Sequence, residues 1–201
     1  NETECVGSSK SNGVQLKYFL KKRHTIGKMS LDIKDEQGNI VADLAPGKVK
    51  GINIVTWNAN KKLPKTAKGK TFTFGGFTAP KVPEGMYTAI LKKGKDTFEH
   101  TFELVYDEAN NLSMEDRKIK NDITSQLYDM TQDLAYLIYE MDEIIQSAES
   151  NGNTKTAEKL NSLKETLVIT TGDNYVGSAE PQLREKMAKL YSKVATSYDK
   201  P

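Results

Sequence analysis

Alternation of apolar and polar residues is clearest in the stretch 51–58. Asn53, Val55 and Trp57 fall on one face of an extended chain, and the residues between them fall on the other. This alternation predicts a β-strand that lies between two layers. Trp57 is the only tryptophan, and its large apolar ring favours a core position over a ligand-stacking surface.

The same alternation recurs through the first half of the chain, with Gly, Pro and Asp-rich turns between the segments. The pattern predicts about seven short strands, which is typical of an immunoglobulin-like β-sandwich over residues 14–107. Residues 1–13 are polar and are predicted to be a loose lead-in. The predicted strands are 14–20, 29–33, 40–44, 51–58, 71–77, 86–91 and 97–106.

Helical periodicity replaces alternation in the second half. Ser113 and Asp116 have the spacing of a capping box, and apolar residues then recur every three or four positions. We expect one helix of about 35 residues, roughly 50 Å long. Its predicted buried stripe is Ile119, Ile123, Leu127, Met130, Leu134, Leu137, Met141, Ile144 and Ala148.

Two shorter helices follow. We expect Thr154 to cap the second helix and Pro181 to lie in the first turn of the third. The predicted fold class is therefore multidomain β + α, an immunoglobulin-like β-sandwich followed by a three-helix bundle over 113–198 with one long helix. Both short helices are expected against the C-terminal half of the long one. Their predicted stripes are Ala157, Leu160, Leu163 and Leu167, then Leu183, Met187, Leu190 and Val194.

Net charge supports a division into two units. Residues 1–107 hold 18 basic and 11 acidic residues, a net charge of +7, whereas 108–201 hold 11 and 16, a net charge of −5. The chain begins at Asn1, which indicates a processed chain or an excised piece. Cys5 is the single cysteine, so no internal disulfide is predicted and the redox compartment is not readable.

No catalytic, metal or cofactor site is predicted. His24 and His100 lack metal-ligand spacing, and no serine lies in a nucleophile elbow. Four carboxylates share one face of the long helix, where paired acids serve glycoside cleavage or metal binding. The pattern favours a solvated acidic face over either role. These residues are Asp129, Asp133, Glu140 and Glu143.

The most unusual local feature is the insert, residues 58–78, between the Trp57 strand and the turn that begins at Ala79. It holds five lysines within ten residues, and we expect either a solvated loop dispensable for folding or an anionic contact. The candidate partners are an acidic polysaccharide, a lipid headgroup or the acidic helices of the same chain; nucleic acid is not expected. The candidate residues are Lys61, Lys62, Lys65, Lys68 and Lys70.

A set of residues in the first unit carries a family resemblance: Leu31-Asp32-Ile33, Asp35, Gly38, Val41, Leu44, Gly51, Asn53, Val55, Trp57, Asn58 and Pro83–Thr88. With these residues the unit resembles the FlgD-like immunoglobulin module of the flagellar hook-cap family.

Three further features extend the resemblance to about residues 12–201: the strand end Gln15–Leu20, the long insert before the turn Ala79–Gly85, and the ending Leu190–Val194 with Ser197–Pro201. With them the whole chain is similar to the C-terminal region of exported Bacteroidota proteins, sortilin-like or BNR-repeat and glycosyl-hydrolase-like, in which a β-propeller precedes this module. The family's Asp-Pro-Arg between the units is replaced by Asp107-Glu108-Ala109.

The resemblance implies a non-catalytic structural or interaction region at the C-terminal end of a larger exported, extracytoplasmic protein. Its partner would be the upstream propeller or another exported protein, and any hydrolase activity would lie outside this chain. The alternatives are a carbohydrate-binding accessory module of a glycoside hydrolase, an enzyme within this chain, and a secretion-sorting domain. An exposed aromatic platform would favour the carbohydrate-binding module, and the sequence shows no clear one.

Overall fold

A computed structural model describes residues 13–71, 78–106, 112–171 and 179–197. The chain divides into two compact units. Unit 1 comprises 1–61 and 84–106, and unit 2 comprises 62–83 and 107–201. Most of the insert therefore belongs to the helical unit, although the sequence analysis placed it among the strands. With these bounds unit 1 has a net charge of +3 and unit 2 of −1, so the insert causes most of the predicted charge split.

Unit 1 is built from antiparallel strands in two sheets. β1 and β4 form one sheet, and the other has the order β3-β2-β5-β6. The strands agree closely with the predicted alternating segments, because side chains on successive residues point to opposite faces. Their bounds are β1 Val14–Leu20, β2 Met29–Lys34, β3 Ile40–Leu44, β4 Gly51–Trp57, β5 Gly85–Lys93 and β6 Asp96–Leu104.

Trp57 anchors the core of unit 1, as the alternation predicts. Its side chain is 2% exposed. The indole ring meets Tyr87 of β5 and Phe102 of β6 edge-on, with centroids 5.5 and 6.2 Å away. Its N–H donates to the carbonyl oxygen of Asn60 at 3.0 Å, so the buried polar atom is satisfied. Trp57 thus joins the two sheets.

Asn53 is buried on the same face of β4 as Trp57 and organises the turn that precedes this strand. Its side-chain oxygen accepts from the N–H of Val49 at 3.2 Å, and its amide group donates to the Val49 carbonyl at 2.9 Å. Gly47 passes so close that a Cβ there would lie 3.1 Å from the Cβ of Asn53. Tyr18 donates to the Gly47 carbonyl at 2.7 Å. A buried amide therefore closes this turn.

The two sheets are antiparallel and are not closed. Six strands are present in the described part of unit 1. The predicted strand 71–77, with Phe72 and Phe74, lies outside the described residues except for Thr71. The finer prediction of an immunoglobulin-like sandwich therefore stays a prediction.

Unit 2 contains three helices, one of them long. Their bounds are α1 Met114–Ser150, α2 Thr154–Leu167 and α3 Leu183–Thr196. The capping box of Ser113 and Asp116 is confirmed. The other two predicted starts are wrong: Asn153 rather than Thr154 caps α2, because its side chain accepts from the N–H of Thr156, and α3 begins after Pro181 and its N-cap Gln182.

The buried face of α1 is turned from the predicted stripe. Leu127, Leu134, Met141 and Ala148 are buried as expected, but the other buried column starts with two threonines. Thr124 and Thr131 each donate to the carbonyl four residues earlier, at 2.7 Å, which satisfies their hydroxyl groups inside the core. This column replaces the predicted one, and consists of Thr124, Thr131, Ile138 and Ile145.

The two short helices pack on different parts of α1. Ala157 of α2 packs against Ile145 and Ala148, near the C-terminal end. Tyr191 of α3 pairs with Tyr128 of α1, with ring centroids 6.4 Å apart. The expectation that both lie on the C-terminal half is therefore wrong for α3. Its buried residues also differ from the predicted stripe: Arg184, Met187, Ala188 and Tyr191.

None of the three helices in the described residues combines the length and apolar character needed to cross a lipid bilayer.

Candidate functional site

The insert packs into the helical unit as part of its core. Ala67 is buried in one cluster with Leu134, Ile138, Met141, Val168 and Met187. The N–H of Lys70 donates to the carbonyl of Ile169 at 2.7 Å. A solvated loop is therefore the wrong description of this segment, because Ala67 packs into the core of unit 2 and the backbone of Lys70 bonds to the residue pair that follows α2. The expectation that its lysines are dispensable for folding stays a prediction.

A buried arginine fixes the insert. Arg184 of α3 donates to the hydroxyl and the carbonyl oxygen of Thr71, at 3.3 and 3.0 Å, and pairs with Glu185 at 2.7 Å. The Thr71 hydroxyl donates to the same carboxylate at 3.0 Å. A Cβ on Gly69 would lie 2.9 Å from the Arg184 Cζ, so a larger residue there would require the buried guanidinium to shift. Charge-assisted bonds in such a buried place hold the segment firmly.

Tyr191 fixes the far end of the insert. Its hydroxyl donates to the carbonyl oxygen of Thr78 at 2.7 Å, and its side chain is fully buried. Burial, followed by the nearby Tyr128, raises the pKa of Tyr191 strongly, so its hydroxyl keeps its proton and remains a donor.

Two of the five candidate lysines line a groove of the helical unit. Lys61 belongs to unit 1, and the other four belong to unit 2. Only Lys65 and Lys68 line a common groove, which lies along α1 within unit 2. The anionic contact at the five lysines stays a prediction.

The groove is open, has a volume of about 640 Å³, and contains an exposed aromatic pair. Tyr136 is 48% exposed and Tyr139 is 61% exposed. Residues three apart on a helix are surface neighbours, so both rings lie on one side of α1. The lining residues are Lys65, Thr66, Lys68, Ala135, Tyr136, Ile138, Tyr139, Asp142, Glu143 and Gln146.

The rim of the groove carries both charges. The ammonium group of Lys65 lies 5.0 Å from the centre of the Tyr136 ring, within cation–π distance. Asp142 forms an ion pair with Lys164 of α2, while Glu143 is exposed. Gln146 adds an amide that both donates and accepts. The groove therefore offers apolar ring faces beside hydrogen-bonding groups of each kind.

The predicted acidic face is present, and only one of its members reaches the groove. Asp129, Asp133, Glu140 and Glu143 are all exposed on α1, and Glu143 alone lines the groove. Within the described residues, no three His, Cys, Asp or Glu side chains are grouped to hold a metal ion.

Neither histidine lines the groove. His24 donates from its ring to the carbonyl oxygen of Gly27 at 3.1 Å, which closes a local turn. His100 lies on β6 opposite Ala89, with an exposed side chain.

Sequence reasoning missed Tyr136 and Tyr139 as a pair. The signal was their position on the long helix. Both tyrosines lie outside the predicted apolar stripe, where a large ring does not pack into the core and stays on the surface. The structure therefore contains an exposed aromatic pair that the sequence analysis did not predict, and this pair lies on a helix rather than on a strand.

The fold and the groove together define a two-unit β + α protein with an aromatic, polar-rimmed surface site. No protein-family model, curated protein or solved structure matches the chain. The resemblance to exported Bacteroidota proteins therefore stays a prediction.

Proposed function

We propose that this chain is a non-catalytic interaction region at the C-terminal end of a larger exported β-propeller protein. The observation that carries the proposal is the fixed insert. Buried Arg184 holds Thr71, and through this segment Lys65 and Lys68 stand beside two exposed tyrosines. A surface built in advance in this way loses less side-chain freedom on binding, which favours recognition.

The extracytoplasmic location, the FlgD-like module and the upstream propeller rest on the resemblance of the quoted residues. Two of those residues have clear structural work in unit 1. Asn53 closes a turn and Trp57 fills the core, as expected for a scaffold module.

The test of the non-catalytic proposal is an activity assay beside a longer protein that includes the upstream region. The chain alone should turn over no chromogenic glycoside or ester. If the chain alone did turn over a substrate, and Glu140→Gln or Glu143→Gln abolished that turnover, the proposal would be overturned. Activity of the longer protein alone would agree with it, because the catalytic groups would then lie upstream.

A carbohydrate-binding accessory module is the second candidate, favoured by the exposed pair Tyr136 and Tyr139. Tyrosine faces bind the C–H faces of sugar rings, while the carboxylate, amide and ammonium groups of the rim suit hydroxyl groups. Calorimetric titration with neutral and acidic oligosaccharides should show binding that Tyr139→Ala removes. The matched control is Phe98→Ala, because Phe98 in β6 is an aromatic residue with an exposure close to that of Tyr139. Binding that survives Tyr139→Ala would contradict this candidate.

A further inference from the structure

A row of exposed apolar residues runs along α1 outside the groove. Each member is seven residues from the next, and the exposed fractions range from 40% to 52%. Its first and last members are 21 positions apart, roughly 32 Å along the helix. Its members are Ile123, Met130, Leu137 and Ile144, and we call them the α1 row.

The α1 row lies beside the packed face of the helix. Leu134 and Met141 follow Met130 and Leu137 by four residues, and both are buried against the rest of unit 2. The row itself remains outside this core. A strict seven-residue spacing keeps one seam facing a second helix along a left-handed supercoil. Surface apolar residues are ordinarily scattered, so a straight row of four indicates a helix-binding seam.

Acidic residues border the α1 row on its other side. The two helical columns next to it contain six exposed carboxylates and no lysine or arginine between Glu115 and Ser150. This charge selects the partner, because flanking charges decide which helix pairs with an apolar seam. The six residues are Glu115, Asp122, Asp129, Asp133, Glu140 and Glu143.

A second copy of this chain fits the α1 row poorly. Antiparallel pairing of two rows places the acidic flank of each α1 beside the same flank of the other, where like charges repel. Parallel pairing sets the acidic flank against the opposite side of the partner row, which holds Leu134 and Met141 and is already packed within unit 2. The complementary occupant is therefore a basic helix.

We propose that the α1 row docks an amphipathic helix of a partner protein. The partner helix has apolar residues at heptad spacing and lysine or arginine on the flank that faces Asp133 and Glu140. About twenty residues suffice to cover the row. None of the four residues of the α1 row lines the groove of Tyr136 and Tyr139, and of the flanking carboxylates Glu143 alone borders both surfaces.

The test uses labelled synthetic helices of about 21 residues and the full chain, with fluorescence anisotropy as the readout. One peptide has a leucine and isoleucine seam with lysine flanks, and the second has the same seam with glutamate flanks. The lysine peptide should bind at least roughly tenfold more tightly, with affinity that falls as salt rises. Equal binding of both peptides, or no binding of the lysine peptide, would overturn the proposal.

Variants locate the site. Met130→Gln with Leu137→Gln should weaken the lysine peptide roughly tenfold or more, while circular dichroism shows the helices intact. Ile52→Gln with Ile54→Gln, on the exposed face of β4, is the matched control and should leave binding unchanged. Peptide binding that is unchanged in the Met130→Gln, Leu137→Gln variant would show that the α1 row is not the binding site. If sedimentation showed that the chain self-associates, and the Met130→Gln, Leu137→Gln variant lost this self-association, the occupant of the row would be a second copy and not a partner protein.

Discussion

The guanidinium of Arg184 donates to both the hydroxyl and the carbonyl oxygen of Thr71, at 3.3 and 3.0 Å, across 113 positions of sequence. This relationship ties the insert to α3. It also explains why a lysine-rich segment that looks like a surface loop belongs to the helical unit.

Arg184→Met should destabilise unit 2 by roughly 3 kcal/mol, because Glu185 then loses its buried cation and Thr71 its donors. Lys189→Met, on the exposed side of the same helix, is the control and should change little. Urea titration separates the units, since the helices dominate far-UV circular dichroism while Trp57, the sole tryptophan, reports on unit 1. A change of less than about 1 kcal/mol in the helical transition would contradict the anchoring role.

Asn53→Ala should destabilise unit 1 by about 1–3 kcal/mol, because the turn loses its closing bonds and Val49 keeps unsatisfied backbone groups. The fluorescence of Trp57 follows this loss in urea. Thr56→Ala, exposed on the same strand, should cost less than half as much. Equal effects of the two changes would show that the turn does not depend on the amide.

Trp57→Ala should destabilise unit 1 by about 3–5 kcal/mol, since it removes a buried ring and leaves a cavity beside Tyr87 and Phe102. Trp57→Phe keeps an aromatic ring and should cost less. Because the tryptophan signal is gone, the unfolding of unit 1 is then followed by hydrogen exchange of the backbone amides in β5 and β6. A loss below about 1 kcal/mol for the alanine variant would contradict the burial of the indole and favour a surface role in ligand binding.

Unit 1 should lose stability at alkaline pH. Burial, followed by Asp35, Tyr106 and Glu36, raises the pKa of Tyr87 to about 12. An unfolded tyrosine ionises near pH 10, so stability from this group is complete below about pH 10 and falls as the pH rises toward 12. Urea midpoints of the Trp57 transition between about pH 9 and 11 should therefore decline. Tyr87→Phe should flatten that decline, and an unchanged slope would exclude Tyr87 as its source.

Local patterns predicted most of the secondary structure. The strand and helix bounds agree with alternation and heptad spacing, because both depend on neighbours a few residues away. The buried face of α1 was misassigned because Thr124 and Thr131 are polar by type. Their hydroxyl groups bond to their own helix, so they pack as small apolar residues.

The site was harder to predict because its parts are distant in sequence. Ala67 enters a core whose other members begin at Leu134, and no local pattern connects the two. Arg184 lies at no position that a local pattern marks as important, and its buried partner Thr71 is 113 positions away. The lysines made the insert unusual in the sequence, but the residues that fix it in the structure are Ala67, Gly69 and Thr71.

The final prediction separates the insert's backbone from its lysines. Replacing residues 64–71 with a glycine and serine segment of equal length removes Ala67 from the core and Thr71 from Arg184. The helical transition should then lose several kcal/mol of stability or its cooperativity, while the Trp57 transition changes little. In contrast, changing all five lysines to glutamine should alter the helical transition by less than about 1 kcal/mol, because exposed charges contribute little. A stable helical unit after the segment replacement would show that the insert only rests on the helices. A large loss from the lysine changes alone would show that the charges of these lysines hold the insert in place.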